Sequence, residues 1–171
     1  IKAAPQTQRY LLLPDSSRVI LNEGATLSYR AFTGKSREVQ LSGEAFFDIT
    51  HDAQRPFIVH TGRIKTTVLG TAFNIKAGDS SHITVTVTRG KDKVEDGNHA
   101  LALLTPNQQV TVDTVSGTSN NATVDAASVT SWNQQGLKFE DSPLEEVALA
   151  IAMRFRRPVI FADSTLKNKH V

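Results

Sequence analysis

Glu38-Val39-Gln40-Leu41-Ser42-Gly43-Glu44-Ala45-Phe46-Phe47-Asp48-Ile49 decides the fold class. Val39 and Leu41 alternate with polar Glu38, Gln40 and Ser42. After the Ser42-Gly43 break, Ala45, Phe47 and Ile49 face one way, while Glu44, Phe46 and Asp48 face the other. Successive side chains of an extended chain point to opposite sides, so this period of two predicts half-buried strands.

The same pattern extends in both directions. Upstream, Arg18-Val19-Ile20-Leu21 leads into the turn Asn22-Glu23-Gly24, and Leu27 and Tyr29 alternate beyond it. Downstream come Phe57-Ile58-Val59-His60, then Ile64, Thr66 and Val68, then Phe73 and Ile75. His82-Ile83-Thr84-Val85-Thr86-Val87-Thr88 is the cleanest strand, because its β-branched residues are stiff at χ1 and favour extended backbone. Asp96-Gly97-Asn98 is a turn; Leu101 and Leu103 precede Thr105-Pro106-Asn107, and Val110 and Val112 follow. No helical pattern occurs before residue 140. The fold expected is mainly β, a sandwich or solenoid-like roll of short antiparallel strands. Strand-glycine-strand units centred on Gly24, Gly43, Gly70 and Gly90 form a weak, irregular repeat.

Residues 116–127, rich in Ser, Thr, Asn and Ala, read as an exposed loop or linker. They suggest a β domain over residues 1–130 and a small unit over 131–171. That unit reads as strand-helix-strand. Leu137-Lys138-Phe139 is the first strand. Ser142, Pro143 and Glu145 supply an N-cap, a first helical residue and a capping box. Leu144, Val147, Ala148, Ile151, Ala152 and Phe155 form an apolar stripe, and Arg154, Arg156 and Arg157 suit the helix C-terminus. Pro158 stops the helix before the strand Val159-Ile160-Phe161. Such a unit leaves a sheet edge open to pairing.

The chain has 171 residues, 39% of them hydrophobic, and a formal charge of +2. The 19 basic residues are scattered, which argues against a nucleic-acid partner. With no cysteine, disulfides and thiol chemistry are excluded. No apolar run reaches the roughly 20 residues that cross a bilayer. A chain beginning at Ile1 is expected to be a trimmed piece whose targeting and anchoring segments lie elsewhere.

Enzyme constellations are sparse. His51, His60, His82, His99 and His170 lack metal-ligand spacing, so neither a metal nor a cofactor is expected. His60 falls on the strand face opposite Phe57 and Val59. Glu44 and Asp48 share a strand face, where solvated carboxylates are commoner than an acid-base pair. Gly70-Thr71 interrupts an otherwise regular strand. Its plain reading is a bulge or bend. Its chemical reading is self-cleavage: a threonine hydroxyl attacks the preceding carbonyl, and water hydrolyses the ester formed.

Several blocks in order resemble the FecR family of anti-sigma factors. They are Leu13-Pro14-Asp15-Ser16-Ser17-Arg18-Val19, Leu21-Asn22, Arg37 through Asp48, Arg55-Pro56-Phe57-Ile58-Val59-His60-Thr61, and Val68-Leu69-Gly70-Thr71-Ala72-Phe73-Asn74-Ile75. Residues 132–161 are similar to the start of a secretin- and TonB-type small domain, whose second half is not in this stretch. Ser16 and Asn107 stand where the family usually has glycine, and residues 89–95 are longer than its usual turn.

The resemblance implies the periplasmic region of an inner-membrane protein. A cytoplasmic N-terminal segment would hold a sigma factor and one membrane helix would follow it, neither being in this stretch. The partner implied is the signalling domain of an outer-membrane TonB-dependent transporter. Some family members look self-cleaving at the matching Gly-Thr, which makes Gly70 and Thr71 the candidate pair. The open C-terminal unit suggests partner binding by strand addition through Ile160 and Phe161; the plainer reading is that Phe161 closes the unit's own core. A structural or carbohydrate-binding β-module of the cell envelope is the alternative, opposed by the scarcity of aromatic residues beyond Trp132, Tyr10, Tyr29 and the phenylalanines.

Overall fold

The computed structural model of the chain describes residues 1–3, 7–77, 81–134, 137, 139, 141–155 and 157–171. Twelve strands lie among them: β1 (Arg9–Leu12), β2 (Arg18–Leu21), β3 (Thr26–Tyr29), β4 (Arg37–Asp48), β5 (Phe57–Thr61), β6 (Ile64–Val68), β7 (Ala72–Ala77), β8 (His82–Arg89), β9 (Asp92–Asp96), β10 (His99–Leu104), β11 (Gln108–Asp113) and β12 (Ser119–Thr123). The stretch expected to be two runs broken at Ser42-Gly43 is one strand of 12 residues. Its first half pairs with β3 and β5, its second with β2 and β7.

β4 is thereby shared by two layers. One runs β10-β9-β6-β5-β4 with β3 on the far side of β4, and the other runs β4-β7-β8-β11-β12 with β2 and β1 beyond. Gly43 sits at the change of layer with φ +90, where a Cβ would lie 2.8 Å from Ala25 Cα. Only glycine allows both that backbone and that approach. The glycine series now has a spatial meaning. Gly24, Gly43, Gly70 and Gly90 each lie where the chain passes from one layer to the other. They mark corners of a sandwich-like roll, not units of a solenoid. One pairing departs from the antiparallel expectation: β4 and β5 run parallel, with Arg37 opposite Phe57.

The core fills the space between the layers. Phe47 stacks on Phe73 at 5.0 Å and touches Phe57 at 6.3 Å. Inward positions expected from alternation, including Val39, Leu41, Ala45, Ile49, Val59, Ile64, Val68, Val85, Val110 and Val112, are buried. A bulge between Ala100 and Ala102 reverses the alternation in β10, so Leu104 is buried and Leu103 exposed. Arg37, also buried, ties the start of β4 to the loop that follows its end. It donates to Asp15 (2.6 Å), Thr50 O (2.9 Å) and Arg55 O (2.9 Å), and lies 5.5 Å from the Phe57 ring centre.

Residues 116–127 are not a linker. β12 pairs with β11 along its length while all five side chains stay exposed, and α1 (Ala126–Val129) follows. Backbone pairing alone makes this edge strand, so its polar side chains carry no strand signal. Ser16 and Asn107 both have φ +65, a left-handed conformation that glycine adopts more readily.

The C-terminal expectations need correction in three respects. Helix α2 (Leu144–Phe155) starts at Leu144, with the Pro143 carbonyl accepting from Val147 N; Ser142 exchanges two backbone bonds with Val171. The face docked on β1 and β2 carries Ala150, Leu149 and Met153 against Tyr10 and Ile20, with Glu146 reaching the Tyr10 amide. The expected stripe is a different face, and its Phe155 is exposed. Val159, Ile160 and Phe161 lie outside any strand, as do Leu137 and Phe139; Lys138 and Arg156 are outside the described residues. The tail returns through a 3-10 helix at Ser164–Asn168 to pair His170 with Pro143, closing the unit in a way its sequence did not advertise.

Candidate functional site

Gly70 and Thr71 form the corner between β6 and β7. Beside them, running the opposite way, Gly90 and Lys91 join β8 to β9. The two crossings are locked in place by ladder pairs at each end, Val68 with Asp92 and Ala72 with Arg89. Gly70 is fixed by sterics: a Cβ there would lie 2.5 Å from His51 Cα. Gly90, at φ +92, leaves room for Thr71, whose methyl lies 2.5 Å from where its Cβ would stand. The carbonyls on either side of Gly70 are held, Leu69 O by Asp52 N and Thr71 O by Ile49 N, both at 2.8 Å.

Thr71 points inward and is 2% exposed. Asp92 is fully buried. Neither its two carboxyl oxygens nor the Thr71 hydroxyl has a partner of hydrogen-bond geometry among the described residues. The hydroxyl nevertheless bears on the carboxyl. Burial pushes the Asp92 acid up to about 8, and the Thr71 hydroxyl works against that shift by favouring the charged form. The corner therefore places a nucleophile type, its upstream carbonyl and a proton acceptor together. Sequence reading found Gly70 and Thr71 and missed Asp92. The available signal was the period of two: Asp92 shares a strand face with buried Val94, while Lys93 and, just before the strand, Lys91 are exposed.

Glu44 and Asp48 have separate duties. Glu44 accepts from Asn22 and Asn74, and Asp48 pairs with Arg89 at 2.7 Å. His60 is half-exposed beside Glu38, on the face opposite buried Phe57 and Val59. No group of potential metal ligands occurs among the described residues. Ile160 is 86% exposed, and its neighbour Phe161 is half-buried. No helix among the described residues is long and apolar enough to cross a membrane.

Two sheets built round one shared strand, with a short helical unit docked on the outside, define a regulatory module of the anti-sigma factor class when set beside known structures. Two crystal structures of a presumed anti-sigma factor from Parabacteroides distasonis ATCC 8503 superpose on it. The structure at 1.65 Å has TM-score 0.75 and 31% identity over 100% of this chain and 81% of that one. The structure at 2.50 Å has TM-score 0.75 and 33% identity over 95% and 80%. The FecR protein family matches residues 1–91, and the chain belongs to that family. No curated protein matches it. Membership makes it a signal-relay regulator of a generally non-enzymatic family whose domain is typically periplasmic, with a sigma factor or signalling proteins as partners.

Proposed function

We propose that this chain is the periplasmic relay of a transmembrane anti-sigma factor. It receives a signal from an outer-membrane TonB-dependent transporter and controls an extracytoplasmic-function sigma factor. Residues 1–130 form the FecR-type β domain, and 131–171 begin a secretin/TonB-type small domain. The observation that carries this reading is the C-terminal unit. It is docked on β1 by one helix face while Phe155, Val159 and Ile160 remain exposed on the rest. An apolar surface of that kind favours a protein partner. The carbohydrate-binding alternative is weaker, because Phe155 is the sole aromatic among the large exposed apolar residues described.

The test is a pull-down with the periplasmic signalling domain of the transporter encoded beside this gene. Specific capture is expected, weakened at least tenfold by Ile160→Ala together with Phe161→Ala. Capture unchanged by those substitutions in a folded protein sinks strand addition at 159–161. No capture by a folded chain brings the β-module alternative forward.

The relay also includes self-cleavage between Gly70 and Thr71. Support comes from the corner itself, with its buried hydroxyl beside a buried carboxyl. Intact-mass measurement should find pieces of residues 1–70 and 71–171, and a Thr71→Ala chain should stay whole.

A further inference from the structure

We infer that Asp92 is the proton shuttle for chain cleavage at the Gly70-Thr71 corner, an assignment that rests on the self-cleavage reading above. Asp92 and Thr71 are brought together by the antiparallel passage of the two corner crossings. They are sealed from solvent, at 0% and 2% exposure. A buried carboxyl without a fixed partner is costly to keep, so its position beside a buried hydroxyl calls for a reason.

The surroundings leave Asp92 free to exchange a proton with Thr71. Opposite it in the ladders stand Val68 of β6 and Leu104 of β10, both apolar and buried. Lys93 of β9 and Lys91 just before the strand are exposed. At the corner, Arg89 is turned to Asp48, and His51 packs on Gly70 from the exposed side. Thr71 is the polar side chain that acts on the carboxyl.

The chemistry balances. The ionised Asp92 carboxyl takes the proton from Thr71 Oγ1 as that oxygen bonds to the Gly70 carbonyl carbon. The resulting acid returns the proton to the Thr71 nitrogen as the carbon–nitrogen bond breaks. An ester from Gly70 to Thr71 Oγ1 and a free Thr71 amine remain. Water then adds hydroxide to the Gly70 carbon and a proton to Oγ1, giving two chains. A proton acceptor that titrates near the working pH suits both transfers.

The experiment follows cleavage of the purified chain by intact mass between pH 6 and pH 9.5, with and without hydroxylamine, which traps the ester as a Gly70 hydroxamate. The wild-type rate should rise with pH and level above about 8, where the Asp92 carboxyl is ionised. Asp92→Asn should slow cleavage on the order of 100-fold and flatten the profile. Equal rates and equal profiles in the two proteins overturn the Asp92 assignment and leave cleavage standing. A wild-type chain that stays whole at every pH, with hydroxylamine too, overturns the cleavage reading and the assignment together. If Asp92→Asn fails to fold by circular dichroism, the wild-type profile decides, and a rate with no inflection near 8 overturns the assignment.

Discussion

The β domain and the C-terminal unit are held by different means. In the β domain, the two layers share β4 and close over a continuous core from Ala3 to Val112. The C-terminal unit rests on a small cluster of Tyr10, Ile20 and Ala150, fringed by half-buried Phe46, Trp132, Leu137, Phe139, Leu149 and Met153. Its polar fastenings among the described residues are also few. Glu146 accepts from Tyr10 N at 3.2 Å and pairs with Arg9 at 3.3 Å, and Gln8 donates to Trp132 O at 2.8 Å. All three reach β1 or the residue before it, at the edge of one layer. A frame closed over a continuous core and an attachment resting on a small one are thus built from the same chain, and local stability follows the burial available to each.

The sharpest test of the contrast is Phe47→Ala. Its ring stacks on Phe73 and is fully buried, so its loss should cost about 3–5 kcal/mol by denaturant titration. A cost below about 1 kcal/mol would break the claim that the frame depends on tight packing.

Acidity provides the next test. The Asp92 acid is raised in the fold from its ordinary 3.8 to about 8. Between those values the unfolded chain has released the proton that the folded chain keeps. Its contribution is complete below about pH 4 and is lost as pH rises toward 8. Stability should fall across that window by at most about 1.4 kcal/mol per pH unit, and Asp92→Asn should remove that slope. Glu38 works in the other sense: a hydrogen bond from Ser36, then one from His60, lowers its acid. Its contribution is lost as pH falls, so the slope should be read above pH 5. Identical melting curves for Asp92→Asn and wild type across the window would contradict the assigned burial.

The smallest effect on the frame belongs to Glu146→Ala. Removing both its contacts should cost the docking of α2 about 1–3 kcal/mol and speed proteolysis within 131–171. The β domain should melt within about 0.5 kcal/mol of wild type. If the whole chain instead loses stability together, frame and attachment are one cooperative unit.

Much of the frame was legible because half-buried strands write their exposure in alternate residues, as Val39 to Ile49 do. Legibility failed where burial and pattern part. β12 buries no side chain, so nothing distinguishes it from a loop. In β10 one bulge leaves Leu103 in solvent and turns Leu104 into the core. In α2 the strongest apolar stripe and the docked face differ, because a small Ala150 and a charged Glu146 fit the surface that β1 offers. The corner site divides in the same way. Gly70 and Thr71 stand out as an interruption within a strand, whereas Asp92, between two lysines, looks like part of a solvated run. Only the side-by-side passage of two corners reveals it.

The sharing of β4 has a kinetic consequence. Neither layer can be completed until this strand is laid down, and its two halves recruit partners from residues 18–29 on one side and 57–77 on the other. β3 closes on β4 as a local hairpin, with Tyr29 opposite Val39, but the pairings with β2, β5 and β7 join more distant segments, so loop entropy is spent before much contact is gained. Folding of such a topology is slow, on the order of milliseconds to seconds, and its nucleus must contain both ends of β4 with Gly43 already bent between them.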